Sequence, residues 1–293
     1  MSTTRPIRTI GYIGLGKAGY SLASVLSRSS SYSLIVQDAD RTRAELFIKE
    51  HGNATVATTN ASLNEIDVLI TMLPNGSIVR SNGTIIIDTS SSSPFHTRDT
   101  AELLRNLNPT LILIDSSVTQ EYAFALSKGD ATLMVGCSDP NALERAMPVL
   151  KCMGRYVFYM GSLGAGHAMK GLNNYVSCAS ILGLCDAFVA GQKFGLEPSR
   201  MVEVMNRGTG GIFRRGRGLT RRFKSGYQLQ LLLKDMKFAR KVIEEMGVTL
   251  SLPGLIVREL EEAVEVAGEG PDHTEVIKAW ERRAGVELIR SKL

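Results

Sequence analysis

The hexapeptide Gly14-Leu15-Gly16-Lys17-Ala18-Gly19 lies between a short apolar strand, Thr9-Ile10-Gly11-Tyr12-Ile13, and a helical apolar pattern through Leu22, Val25 and Leu26. Three glycines in this spacing, after a strand and before a helix, restrict the fold more than any other stretch of the chain. The first glycine makes the turn, the second lets the backbone approach a pyrophosphate, and the third lets helix and strand pack closely. The phosphates would rest on the free N–H groups of the helix N-terminus. The spacing alone is weak evidence. Asp38 strengthens it, because it closes the second strand, Ser33-Leu34-Ile35-Val36-Gln37, about 20 residues further on. An acid there would bond ribose hydroxyls and repel a 2′-phosphate, which favours NAD over NADP. Arg41 and Arg43 lie close enough to keep NADP open.

Strand and helix patterns alternate after this. Strands are expected at Asp67–Met72, Thr84–Asp88, Thr110–Asp115 and Ala131–Val135, with helices at Asp40–Glu50, Pro94–Leu107 and Asp139–Met153, and Arg155–Tyr159 closes the α/β half. Ser116 to Asp130 reads as a loop. The serines after Asp88 suit either a ligand contact at the carboxyl edge of a parallel sheet or a helix N-cap. From Gly164 onward the pattern is helical only: a long helix to Phe194 closed by Gly195, then Pro198–Asn206, Leu229–Met246, Pro253–Ala267 and a last helix from His273. The expected architecture is an α/β Rossmann N-terminal domain, residues 1–162, followed by an all-α C-terminal domain, residues 163–293. A chain of 293 residues accommodates both.

Composition narrows the class. An apolar fraction of 44% is globular, and no apolar run approaches the roughly 20 residues of a membrane span. The first residues lack the apolar region of a signal peptide. Cys137, Cys152, Cys178 and Cys185 show no paired metal spacing and read as small buried hydrophobes in a reducing compartment. No metal and no membrane partner are expected. The net charge of +5 has a local source in the stretch Arg207 to Lys224. No aromatic platform interleaves those arginines, so nucleic acid is not expected as a partner. A solvated loop is the plainer reading of the stretch, and a hold on an anionic substrate group is the alternative. The closing tripeptide Ser291-Lys292-Leu293 is the peroxisomal address. Its reading is peroxisomal, otherwise cytoplasmic.

The stretch Gly164-Ala165-Gly166-His167-Ala168-Met169-Lys170-Gly171-Leu172-Asn173-Asn174 marks the change of pattern. Lys170 and Asn174 are four residues apart and share a helical face. Together they can supply a proton carrier and a substrate-orienting amide. The plain alternative is a solvated lysine on a helix surface. For Lys234-Asp235 the plain reading is an exposed ion pair, worth little.

These motifs, in this order and at these separations, resemble the β-hydroxyacid dehydrogenases, the group that includes 3-hydroxyisobutyrate dehydrogenase, tartronate semialdehyde reductase and the dinucleotide domain of 6-phosphogluconate dehydrogenase. The likeness runs from Gly14–Gly19 through Leu73-Pro74, Asp88–Pro94 and Asp115 to Gly164–Asn174, Lys234-Asp235 and Asp272-x-Thr274 with Lys278. It implies an NAD-dependent enzyme, NADP not excluded, that interconverts a small 3-hydroxyacid and its semialdehyde or keto acid, with substrate in a cleft between the domains. It implies Lys170 as general acid/base and Asn174 as a substrate contact. Gly14, Leu15, Gly16, Lys17, Ala18, Gly19, Asp38, Leu73, Pro74, Ser91 and Lys234 would bind the cofactor, and Thr119 and Gln120 the substrate. It also implies a homodimer or homotetramer formed through the helical domain. A lysine can serve as the base where burial or nearby positive charge draws its pKa down from about 10.4.

Three departures qualify the resemblance. The link 75–83 is shorter than expected by roughly three helical turns. The family usually has a proline at the position of Ser117 and Ser-Gly-Gly at that of Thr119-Gln120-Glu121, so bulk and an anion replace small residues. The third is the basic stretch itself. The alternative readings are a catalytically impaired dinucleotide-binding protein and a reductase of a larger substrate. An imine reductase is a further alternative, against which Lys170 argues.

Overall fold

The computed structural model describes residues 6–63, 66–73, 85–120, 126–208, 227–268 and 270–287. Pro74, the link 75–83, Glu121, the basic stretch from 209 onward and the closing tripeptide 291–293 lie outside the described residues. Two compact units divide the chain at Lys170/Gly171.

The first unit holds one sheet of eight strands: β1 Thr9–Ile13, β2 Ser33–Gln37, β3 Ala54–Val56, β4 Val68–Thr71, β5 Ile85–Asp88, β6 Ile112–Gln120, β7 Ala131–Gly136 and β8 Tyr156–Gly161. Their order is β3-β2-β1-β4-β5-β6-β7-β8. The pairs from β3 to β6 are parallel, β6 and β7 are antiparallel, and β7 and β8 are parallel. The chain order reverses between β1 and β4, which is the switch point where such sheets take ligands.

Strand alternation divides the core. Ile10, Tyr12, Val68, Ile70, Ile85 and Ile87 pack with Leu22 and Leu26 of helix α1 (Lys17–Ser27) and with Val149 and Leu150 of α4 (Pro140–Met153). Leu69, Ile86 and Leu113 point the other way, toward Ala101 and Leu104 of α3 (Pro94–Leu107). Helix α2 spans Arg41–Glu50. Strands buried on both faces read as continuous apolar runs, as Val68–Ile70 and Ile85–Ile87 do. Asp139 caps α4 by accepting the Ala142 N–H at 2.9 Å, with Pro140 at the first helical position.

The expected loop from Ser116 is instead the second half of β6. Ser116 to Gln120 pair with Val135 to Ala131, while β5 pairs only with Ile112–Asp115. Val118 and Thr119 favour a strand, and β7 supplies the ladder that two serines alone would not have suggested. The short edge strand β3 was not legible in the pattern, since three residues give too little alternation to read.

The second unit comprises most of α5 (Ala165–Phe194) with α6 (Pro198–Arg207), α7 (Leu229–Glu245), α8 (Ser251–Ala267) and α9 (Ile277–Ala284). Its core joins Cys178, Cys185 and Phe188 of α5 to Met236, Leu260 and Trp280. The Trp280 indole N–H donates to Asp186 Oδ1 at 2.5 Å, which satisfies a polar group at the core margin. Helix α5 corrects one expectation, because its length and an 18-residue window of mean hydropathy 1.3 would suffice to cross a membrane. Cys178, Leu182, Cys185 and Phe188 on one side of it enter this core, while Val176 and Phe194 are exposed. Burial also explains the thiols: it pushes Cys178 up to about 12 and raises Cys185, so both behave as apolar filling.

Candidate active site

Three glycines shape the turn after β1 in different ways. Gly14 has φ +99°, and a Cβ there would overlap the Met72 carbonyl at the end of β4. A Cβ on Gly19 would overlap the Gly14 carbonyl oxygen, so only glycine lets α1 pack against its own turn. A Cβ on Gly16 would meet nothing within 4 Å. Gly16 is also the N-cap of α1 and gives it no side-chain hydrogen bond. The first N–H groups of α1 therefore lack a side-chain cap, as a phosphate site requires. Lys17 and Ala18 form the start of that helix, and Leu15 is buried beneath it.

Asp38 does more than the spacing implied. Its Oδ2 accepts the Leu15 N–H at 2.6 Å and its Oδ1 accepts the Asp40 N–H at 2.9 Å. The Gly14 N–H donates to the Gln37 carbonyl at 2.9 Å. The ends of β1 and β2 thus hold the glycine turn in shape, and the half-exposed carboxylate retains lone pairs for a ribose. The dinucleotide fits these residues: turn, open Gly16, uncapped helix and acid all lie at one sheet edge.

The ends of β4 and β5 are joined through Ser90, whose Oγ accepts the Leu73 N–H at 2.9 Å. The Ser90 N–H donates to Asp88 Oδ1 at 3.0 Å, and Thr71 Oγ1 donates to the same oxygen at 3.0 Å. Leu73 and Ser91 are therefore set beside the same edge as the glycine turn. The N-cap reading of the serines is half right: Ser93 occupies the N-cap of α3 but makes no side-chain cap bond.

Asp115 fixes the start of α5. It is fully buried, its Oδ1 accepts the Gly164 N–H at 2.6 Å and its Oδ2 accepts the His167 N–H at 2.8 Å. Burial raises its pKa, while the nearby His167 and those N–H groups oppose the rise. Glycines make the room: a Cβ on Gly136 would overlap the Asp115 carboxylate, and one on Gly166 would overlap the Met134 carbonyl. Gly164 sits at φ +92°. The glycines at the head of the helix are thus explained by close approach as well as by the turn. Thr119 lies on the same strand face as Asp115 and Ser117, and Gln120 ends β6.

Lys170 and Asn174 are one turn apart on α5. In the second unit, Asn174 Nδ2 donates to Asp235 Oδ2 at 2.8 Å and the Tyr227 hydroxyl donates to the same oxygen at 2.5 Å. Lys234 Nζ lies 3.7 Å from Asp235 Oδ1. The expectation of an exposed ion pair is thereby corrected: Asp235 is 3% exposed, accepts hydrogen bonds from two residues and pairs with Lys234 as well. Burial, then the charge of Asp235, raises the Tyr227 pKa far above its ordinary value, so this hydroxyl stays a donor. With its N–H held by Asp235, Asn174 has a fixed amide orientation. The sequence reading missed Asp235, Tyr227, His167 and Ser90 as parts of this machinery. The pattern offers a signal for Asp235, next to Lys234, and for Ser90, among the serines that follow Asp88.

The fold and these residues define a dinucleotide-binding oxidoreductase with a lysine on the helix that follows the sheet. Residues 9–161 match the NAD binding domain of 6-phosphogluconate dehydrogenase, and residues 164–280 match the NAD-binding domain of NADP-dependent 3-hydroxyisobutyrate dehydrogenase. The chain belongs to the β-hydroxyacid dehydrogenase family. It is 27% identical to 2-(hydroxymethyl)glutarate dehydrogenase of Eubacterium barkeri, over 95% of this chain and 97% of that protein. It is 28% identical to NAD-dependent L-serine dehydrogenase of Pseudomonas aeruginosa, over 81% of this chain and 86% of the other. Among solved structures, Mycobacterium tuberculosis 3-hydroxyisobutyrate dehydrogenase with L-serine superposes at a TM-score of 0.80 with 25% identity, covering 92% of this chain and 98% of that one.

Proposed function

We propose that the protein is an NAD(P)-dependent 3-hydroxyacid dehydrogenase that prefers NAD and acts on a 2-substituted 3-hydroxypropionate. The observation that carries the reading is the contrast among Gly14, Gly16 and Gly19: two are closed by backbone and one is open toward solvent at an uncapped helix start. The substrate class follows from the names of the relatives. 3-Hydroxyisobutyrate, L-serine and 2-(hydroxymethyl)glutarate share a primary alcohol one carbon from the carbon bearing the carboxylate, and differ in the substituent there. When bound, NAD supplies the hydride acceptor for the carbinol carbon. Lys170 takes the hydroxyl proton as the carbonyl forms and returns it in the reverse direction. Asn174, oriented by Asp235, holds the substrate without adding charge. The reading of a catalytically impaired binding protein is not favoured, because the glycine turn, Asp38, Lys170 and Asn174 are all present in the context the chemistry needs.

Titration of nicotinamide fluorescence with NADH and NADPH, followed by turnover across 3-hydroxyacids with small, charged and extended 2-substituents, tests the reading. Binding with turnover of at least one member supports it, and binding without turnover of any member overturns it. Asp38→Asn is expected to improve kcat/KM for NADP relative to NAD by about tenfold, since two like charges 4 Å apart repel by roughly 1 kcal/mol in water and by more where partly buried. An unchanged ratio would show that Asp38 does not face the ribose.

We also propose self-association through the helical unit. Met169, Val176, Gly183 and Ala190 are exposed on α5 at intervals of seven residues, a spacing that lines one side of a helix. Light scattering is expected to give at least a dimer, and Val176→Glu is expected to shift it toward monomer.

A further inference from the structure

The ring of His167 is buried and bonded at both nitrogens. Its Nε2 lies 3.1 Å from the Ser90 carbonyl and its Nδ1 lies 2.7 Å from Thr97 Oγ1 on α3. A carbonyl oxygen only accepts, so Nε2 carries a proton and donates. Thr97 Oγ1 in turn lies 3.0 Å from the Ser93 carbonyl one turn earlier. The carboxylates of Asp88 and Asp115 stand 3.9 Å from Nε2 and Nδ1 respectively. The Ser90 carbonyl takes a second donor, the Ser117 hydroxyl, at 3.3 Å.

Two independent anchors therefore act on the first turn of α5. Asp115 holds the backbone N–H of His167, and the imidazole ties the same residue to the end of β5 and to α3. Lys170 comes three residues later, on the adjoining turn. Ser90, the other end of the tie, precedes Ser91 and holds Leu73. We infer that His167 is a positioning residue for Lys170: its two ring bonds fix the turn of α5 that carries the lysine to the strand ends that face the cofactor. The inference rests on the reading of Lys170 as the general acid/base.

A ring that merely fills space would be replaced by leucine at little cost in rate. A ring that positions would not, because misplacement of about 1 Å costs roughly 10²-fold in rate. The experiment compares wild type, His167→Leu, His167→Gln and Thr97→Val. Each is measured for kcat and KM with the best 3-hydroxyacid and for backbone amide exchange over 165–170. Glutamine can present its amide N–H where Nε2 lies. His167→Leu is expected to lose kcat by about 10²-fold with KM for NAD within about threefold, and His167→Gln to recover most of the loss. Exchange over 165–170 is expected to quicken about tenfold in His167→Leu and to stay near wild type in His167→Gln.

Unchanged kcat and exchange in His167→Leu overturn the inference, as do equal losses in the leucine and glutamine variants. If His167→Leu does not fold, Thr97→Val decides. It keeps the ring and removes one partner, and a wild-type rate and exchange in it overturn the inference. If wild type turns over no 3-hydroxyacid, the proposed function fails by itself. The exchange comparison then still decides whether His167 fixes the turn.

Discussion

Lys170→Ala is expected to lower kcat by about 10²–10⁴-fold while NADH affinity stays within about threefold of wild type, because a general acid/base supplies an effect of that size and touches the cofactor's bound state little. Removing a hydride from the carbinol carbon leaves a proton on oxygen that must depart in the same step. On the proposed reading Lys170 takes that proton. Tyr227 is held as a donor by Asp235, and burial pushes its acidity away from neutrality. Asn174 does not titrate. Lys170→Arg discriminates further. Arginine keeps the positive charge but does not give up its proton, so it is expected to be nearly as slow as alanine. The pH dependence has opposite signs in the two directions. With Lys170 as the base, alcohol oxidation needs the neutral amine, and kcat/KM is expected to rise with pH along the limb it controls. Reduction needs the ammonium, and kcat/KM falls along that limb. In Lys170→Ala both limbs are expected to flatten. Retention of either limb with full slope would assign the proton to another group.

Much of the nucleotide half was legible because its physics is local. A turn of three glycines and an acid at the next strand end are fixed by backbone conformation and spacing. What the sequence did not show was that Asp38 also holds the Leu15 N–H, a contact across two strand ends. The helical half was less legible for the same reason. Asp235 read as half of an exposed pair because Lys234 is its neighbour in sequence, whereas its bonding partners are 61 and 8 residues away. His167 carried no signal at all. A single histidine in a helical pattern does not reveal that a serine carbonyl 77 residues earlier and a threonine 70 residues earlier will meet its ring.

The fold shows the same division. Helices α1, α3, α4 and α7 followed from apolar periodicity and caps. The sequence pattern predicts a loop from Ser116, where two serines follow the apolar run. They stay in the sheet since Ser116 and Ser117 pair with Val135 and Met134 of β7. Replacement of the family's proline by Ser117 supplies a hydroxyl that bonds the Ser90 carbonyl, which a proline could not do. The departure from the family pattern at this position therefore adds a hydrogen bond between β6 and the segment that follows β5.

Gly16→Ala and Gly19→Ala are expected to fail in different ways, and the difference separates the ligand's requirement from the fold's. A methyl at Gly19 has no space, since the Gly14 carbonyl oxygen occupies its position and Met72 closes the other side. Both obstacles are main chain or held by the sheet, so α1 must move off the turn. Overpacking of this kind costs about 1–3 kcal/mol or more, and Gly19→Ala is expected to lower the thermal midpoint by several degrees and NADH affinity by about 10²-fold together. A methyl at Gly16 meets no protein atom within 4 Å, and the residue's φ of −64° is one that alanine adopts freely. Its midpoint is therefore expected within about 2 °C of wild type. On the proposed reading the pyrophosphate approaches through the open space in front of Gly16, so NADH affinity is expected to fall by about tenfold or more with the fold intact. Calorimetric titration and thermal melts on the two variants suffice. Wild-type affinity in Gly16→Ala would mean that the pyrophosphate does not lie over this turn, and the nucleotide cradle would have to be sought elsewhere on the sheet edge.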